Sequence, residues 1–179
     1  MSATQEATST WQVDKVHSSA NFEIKHSGVS SFQGSFGELD AGLEVDGDQV
    51  KLTGTVQVDS VQVENETLKG HLSSPDFFDV ERYPELSFVS SDVVRGEGSQ
   101  IELTGDLTLK GHTEPVRATG TLDYVEADIS GNPRYGASLE AVIDRTKYGI
   151  NWNADLPSGQ KVLDDQVKLT VHLEFTPAA

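Results

Sequence analysis

The sequence predicts an all-β chain, a single domain of about eight antiparallel strands closed into a barrel with a short helical lid. Three observations carry that prediction. Apolar and polar residues alternate along most of the chain, turn signals punctuate the alternation, and one segment switches to helical spacing. A period of two gives each strand one dry face and one wet face. Alternation alone suits a sandwich or a barrel, whereas a parallel α/β sheet would show continuous apolar runs.

The strands follow in order. Ala20, Phe22, Ile24 and His26 share one face, opposite Asn21, Glu23 and Lys25. Leu39, Ala41, Leu43 and Val45 repeat the pattern, then Val50, Leu52, Val56 and Val58. Leu86 and Phe88 mark a further strand. Ile101, Leu103, Leu107 and Leu109 alternate with Glu102, Thr104, Asp106 and Thr108, and Val116, Ala118, Leu122 and Tyr124 come after. Ala137, Leu139, Ala141 and Ile143 precede the closing run Val167, Leu169, Val171, Leu173 and Phe175. Asp46-Gly47-Asp48, Arg95-Gly96-Glu97-Gly98, Lys110-Gly111 and Ser130-Gly131-Asn132-Pro133 are the turns between them.

Two segments depart from alternation. Leu68 and Leu72, spaced i, i+4 within Asn65 to Leu72, suit a short helix. Ser74-Pro75-Asp76 reads as the start of a second helical turn, with Ser74 as its N-cap. Phe77 and Phe78 would ride on that turn as a lid aimed at the barrel. The other segment, Arg145 to Lys161, is rich in Asn, Gly and aromatic residues. Long ordered loops in compact domains are often functional.

Composition narrows the function. Thirteen Lys and Arg against 29 Asp and Glu give a net charge of −16. Such a surface repels phosphate backbones and anionic lipid headgroups, so nucleic acid is excluded as a partner. With no cysteine there is no thiol chemistry. No stretch is long and apolar enough for stable membrane insertion. Met1 to Thr10 carry no Lys, no Arg and no apolar run, and read as a flexible tail preceding a domain over residues 11–177. Taken as a complete chain, the sequence lacks a secretory leader and is expected to be cytoplasmic.

Gly54, Gly105 and Gly120 fall in the dry-face register of their strands. Mid-strand glycines either leave room for a guest or let strands bend as the barrel closes. On the first reading, a larger residue at Gly105 reduces ligand occupancy. The candidate cavity wall is Phe22, Ile24, Phe32, Phe36, Phe77, Phe78, Phe88, Leu107, Leu109 and Ile143, residues that would equally fill a plain core. His26 falls on the dry face and His71 near the lid; each is a ligand contact or a satisfied structural group. His172 alternates outward.

Several blocks carry a resemblance. Trp11-Gln12-Val13-Asp14 with His17-Ser18, Phe22, His26 and Gly34-Ser35-Phe36 resembles the opening of the YceI-like family. Gly70-His71-Leu72-Ser73-Ser74-Pro75-Asp76-Phe77-Phe78-Asp79, continued by Tyr83-Pro84 and Phe88, is similar to that family's most distinctive motif. Gly105 to Gly111 with Pro115-Val116 resembles its central hairpin, and Arg145, Tyr148-Gly149 and Asn151-Trp152 its late loop. The resemblance covers Trp11 to Phe175. It implies a lipocalin-like barrel that binds a long apolar amphiphile: a polyisoprenoid, an isoprenoid quinone or a fatty-acid-like lipid, for storage, transport or stress response. Tyr148 and Trp152 join the expected ligand contacts. Lys69, Arg145 and Lys147 flank the lid and late loop; they meet a polar or diphosphate headgroup, or serve as counter-charges to Glu66 or Asp144. A homodimer would suit a long tunnel with apolar edges.

Two other classes compete. An enzyme would use histidines at the barrel mouth, but no spacing matches a nucleophile elbow, a phosphate loop or a metal motif. His17, His26, His71 and His112 are scattered rather than set in a zinc pattern. No cofactor, metal or catalytic residue is expected. A protein-interaction module with an empty barrel is the other alternative. Extraction of an apolar molecule from the purified protein separates the lipid reading from both.

Overall fold

The computed structural model describes residues 7–179. Eleven strands form one continuous antiparallel sheet: β1 (Ser9–Val13), β2 (Ser19–His26), β3 (Ser30–Phe36), β4 (Leu39–Asp46), β5 (Gln49–Gln57), β6 (Val61–Gln62), β7 (Glu85–Arg95), β8 (Gln100–Leu109), β9 (His112–Val125), β10 (Arg134–Asp144) and β11 (Leu163–Pro177). The first six pair end to end as three broken staves. β1 and β2 both lie along β11, β4 and β3 lie along β1 and β2, and β5 and β6 lie along β4 and β3. With β7 to β11 this makes eight staves in chain order, each antiparallel to its neighbour, and pairing of the first stave with β11 closes the ring. The architecture is an up-and-down barrel, which leaves no long free edge.

Residues 1–6 of the expected tail lie outside the described residues. Ser9 and Thr10 are already strand, paired with Val45 and Glu44.

Dry-face alternation builds the core. Leu39, Ala41, Leu43 and Val45 of β4 are buried while their neighbours face out, and β8 does the same with Ile101, Leu103, Leu107 and Leu109. The β8–β9 turn is the two-residue Lys110-Gly111, both at positive φ (50° and 75°). That is the tight hairpin geometry matching strand twist.

The two ends differ. At the narrow end, Trp11, Tyr124 and Tyr135 form an aromatic cluster, with Trp11 edge-on to Tyr135 at a centroid distance of 4.8 Å. Beside them Arg134 donates to Asp14, Asp128 and Glu174 at 2.9, 2.6 and 2.8 Å. Asp14, His17 and Glu174 bring their ligating atoms within 4.8 Å of one another, and the Arg134 guanidinium already bridges the two carboxylates. This is an ion-pair knot that ties β10 and β11 to the turn after β1.

The knot has a pH signature. The hydrogen bond from His17, then that from Arg134, holds the Asp14 carboxyl down at about 2, and the Arg134 hydrogen bond does the same for Asp128. A depressed carboxyl stabilises the fold above its ordinary pKa of 3.8, and that contribution fades as pH falls toward 2. Stability should therefore drop across this window, and Arg134→Met should flatten that part of the profile. Acid titration of the two proteins followed by circular dichroism checks it; parallel profiles would contradict it.

At the wide end β6 stops at Gln62 and β7 starts at Glu85. The helix α1 (Glu66–Ser73) and its following turns fill the gap. The i, i+4 leucines Leu68 and Leu72 do lie on a helix, and Asn65 caps it by accepting from Leu68 N. Ser74 corrects the expected second helix. It is the C-cap of α1, and its hydroxyl donates back to the His71 carbonyl at 2.6 Å. Phe77 and Phe78 then ride on hydrogen-bonded turns rather than a new helix. Lys110 Nζ donates to the Pro75 and Gly149 carbonyls, tying the hairpin tip to both the lid and the late loop.

Candidate ligand cavity

Two adjoining cavities run down the barrel interior. The upper one, about 420 Å³, lies at the wide end beneath α1 and the late loop. The lower one, about 150 Å³, occupies the waist. Both border on Phe36, Leu86 and Leu169, which form the step between them. The walls are apolar because they are the dry faces of the strands: the same period that closes the barrel produces the lining.

The structure brings most of the predicted residues together. Phe22, Ile24, His26, Phe32, Phe36, His71, Phe77, Phe78, Leu109, Ile143 and Trp152 border the upper cavity, and Phe88 and Leu107 the lower. Aromatic contacts link lid, late loop and sheet. His71 sits edge-on to Phe77 and to Trp152, each at 4.9 Å, while Phe78 meets Phe36 at 5.8 Å and Phe22 at 6.5 Å. His71 Nε2 lies 3.2 Å from Asp76 Oδ2, which orients the ring.

Tyr148 is placed differently. It is 1% exposed, belongs to the core and borders neither cavity. Burial pushes its phenol up to about 12. Lys69 and Lys147 also lie off both cavity walls. Arg145 borders the upper cavity but is committed elsewhere. Its Nε donates to the Asp164 carbonyl at 2.8 Å and its Nη1 to those of Ile150 and Trp152 at 2.8 and 2.9 Å. The guanidinium thus clamps the late loop onto the start of β11. Its Nη2 is buried, with Asp165 Oδ1 at 3.8 Å. Burial lowers the Arg145 pKa, and Asp165, Asp144 and Asp164 oppose the shift.

The glycines divide. A side chain at Gly120 would meet the Ser138 carbonyl oxygen at 1.8 Å, so this glycine permits close strand approach. At Gly105 the space is taken by the Phe88 ring and the Val89 carbonyl oxygen, both 2.5 Å from where a Cβ would sit. A bulky residue there disrupts the sheet rather than displacing a guest. Gly54 alone of the three leaves room, with Asp40 O at 3.7 Å, and it borders the lower cavity. Gly54→Leu should fill the lower cavity while changing the melting temperature by only a few degrees, as for a change in stability of about 1 kcal/mol. It should also shorten the longest chain the barrel accepts. A series of chain lengths in a displacement titration checks this; an unaltered length limit would place the guest wholly in the upper cavity.

Sequence reasoning missed Leu68, Leu72, Leu86, Ile150 and the Val162–Leu163 pair on the upper wall. Leu68 and Leu72 were legible as one face of a helix, but nothing local says that face looks into a cavity. Ser30 was also missed. It pairs with His26 across β2 and β3 and so shares its inward face at the mouth.

An eight-stranded up-and-down barrel with an apolar interior and a helical segment over one end defines a lipocalin-like class. Within that class the chain belongs to the YceI-like domain family, whose profile matches residues 11–175. It is 35% identical over 171 residues to a UPF0312 protein of Staphylococcus aureus, covering 91% of this chain and 95% of that one. A UPF0312 protein of Staphylococcus epidermidis is 34% identical over 173 residues, with the same coverage. Among solved structures, Burkholderia cenocepacia BcnA superposes with a TM-score of 0.78 at 24% identity, covering 90% of this chain and 98% of that one. A polyisoprenoid binding domain from Saccharophagus degradans, implicated in plant cell wall breakdown, gives 0.72 at 15% identity, covering 94% and 98%. These two structural likenesses speak to the fold. No helix among the described residues is long and apolar enough to cross a membrane.

Proposed function

We propose that this barrel binds one long apolar amphiphile, an isoprenoid chain or a lipid of similar girth, with its tail in the two cavities and its head at the wide end. The observation that carries this is the pair of adjoining apolar cavities, about 420 and 150 Å³. An apolar cavity of about 150 Å³ suffices to bind benzene in an engineered protein core. The lower cavity is therefore sized for one such group, and the upper for nearly three times that volume. The Saccharophagus degradans neighbour, a polyisoprenoid binding domain on the same fold, supports the same class of ligand.

The energetics are adequate. Burying roughly 400 Å² of apolar ligand surface contributes on the order of 10 kcal/mol. Association costs of several kcal/mol leave a micromolar or tighter site. The role is carriage, storage or stress response without chemical change to the guest. The test is titration of delipidated protein with a fluorescent prenyl probe. Saturable binding competed by unlabelled prenyl alcohol supports the proposal; no binding by a correctly folded barrel contradicts it.

A further inference from the structure

We propose that Lys110 is the latch of a lid formed by residues 63–83, and that its ammonium sets how fast a guest enters and leaves the barrel. The inference rests on the amphiphile reading above only for what passes beneath the lid. Leu68, His71, Leu72, Phe77 and Phe78 of this segment border the upper cavity, so the segment covers the wide end.

The polar bonds of the lid close on the lid itself. Asn65 accepts from Leu68 N, and the Ser73 and Ser74 hydroxyls donate to the Lys69 and His71 carbonyls. The turns after α1 close on the carbonyls of Leu72, Ser73, Ser74 and Asp79. His71 pairs with Asp76, and Arg82 with Asp79. Among the described residues a single hydrogen bond joins this segment to the rest of the protein: Lys110 Nζ donates to the Pro75 carbonyl at 2.7 Å. The remaining hold is side-chain packing, including Phe78 on Phe22 and Phe36 and Phe77 on Trp152. Segments held by so few bonds open at lower free energy than the sheet beneath them.

The position of this lysine points the same way. Lys110 is the first residue of the two-residue turn between β8 and β9 and sits at φ 50°. Such turns favour Asn, Asp or Gly there, because a longer side chain crowds the left-handed backbone. The turn alone does not call for lysine; the carbonyls of Pro75 and, at 3.3 Å, Gly149 do. The turn is also a fixed post. His112 Nδ1 lies 2.9 Å from the Lys110 carbonyl oxygen, and the His112 ring lies 3.0 Å from where a Gly149 Cβ would sit. The late loop is clamped to β11 by Arg145. Turn and late loop are therefore the frame, and the lid is the part that moves. Lys110 borders neither cavity, so it acts on passage rather than on grip.

Two variants test this. In Lys110→Asn the new residue suits the turn but is too short to reach the lid. Lys110→Met keeps the stem and removes the ammonium. In the delipidated full chain both are expected to speed amide hydrogen exchange at Phe77, Phe78 and Asp79 about tenfold, the order for losing one hydrogen bond from a charged donor. Amides of β10 and β11 keep their native exchange. With a fluorescent prenyl probe, stopped-flow association and release should both quicken by a similar factor, and Kd should move by less than about twofold. Native protection of the lid amides in either folded variant overturns the latch. So does faster exchange spread evenly over the barrel, which would make Lys110 a general stabiliser. Unchanged probe rates in variants with loosened lids also overturn it, as does faster release without faster association. Failure of the folded native chain to bind the probe overturns the amphiphile reading instead, and lid exchange still decides the latch.

Discussion

Replacing Arg145 by methionine is expected to destabilise the protein by about 3 kcal/mol, the order expected when a few buried or part-buried carbonyls lose their donor. The methionine keeps much of the apolar stem but leaves the carbonyls of Asp164, Ile150 and Trp152 without their donor. Those carbonyls hold the late loop over the cavity, and buried acceptors without partners are costly. A barrel of this size should lose roughly 10 °C in melting temperature. Arg145→Lys should recover only part of the loss, because one ammonium cannot match the planar fork that reaches both the loop carbonyls of Ile150 and Trp152 and the Asp164 carbonyl of β11. Thermal unfolding of the three proteins decides the matter. An unchanged melting temperature in Arg145→Met would return this residue to a head-group role.

Phe77→Ala is the second large effect. Phe77 is 8% exposed and packs on His71 at 4.9 Å and Trp152 at 5.5 Å. Its removal should cost about 3 kcal/mol, the lower part of the range for a buried phenylalanine, because one side of the ring faces a cavity. Phe78 is half-buried against Phe22 and Phe36, and Phe78→Ala should cost about 1–2 kcal/mol. Both rings border the upper cavity, so either change should speed release of a fluorescent prenyl probe. Stopped-flow release measured beside equilibrium unfolding separates the two effects. Loss of stability with an unchanged release rate would show that the exit route lies away from this segment.

The staves from β7 to β11 were legible because alternation and turn residues agree along them. β3 was not. Ser30, Ser31, Gln33 and Ser35 make it polar, and beyond Ser30 its inward positions are only Phe32, Gly34 and Phe36. The place of a Gly34 side chain is filled from outside the strand: the Phe22 ring lies there, 2.3 Å from the ideal Cβ. Cross-strand filling of that kind leaves no mark in a single segment's periodicity. Ser74-Pro75 illustrates a different limit. The pair looks alike at the start of a helix and just past its end; here the Ser74 hydroxyl turns back to the His71 carbonyl and closes α1.

The cavity wall was readable to the extent that it is dry-face periodicity. Phe22, Ile24 and His26, and Leu107 and Leu109, point inward for the reason that makes them strands. The end beneath α1 and the late loop was not readable. Where the long side chain of Arg145 terminates depends on carbonyls five, seven and nineteen residues away, which only the folded loop assembles. Gly54, Gly105 and Gly120 share one sequence context but differ in what lies over them, and only Gly54 opens onto space.

The most direct test of the central claim is the lipid content of the native protein. Chain purified without detergent from the organism that makes it, extracted with organic solvent and analysed by quantitative mass spectrometry, should release one class of apolar amphiphile in near-equal molar amount. An extract without apolar amphiphile above the level of a control protein, from a barrel that also fails to take up prenyl probe, would contradict it.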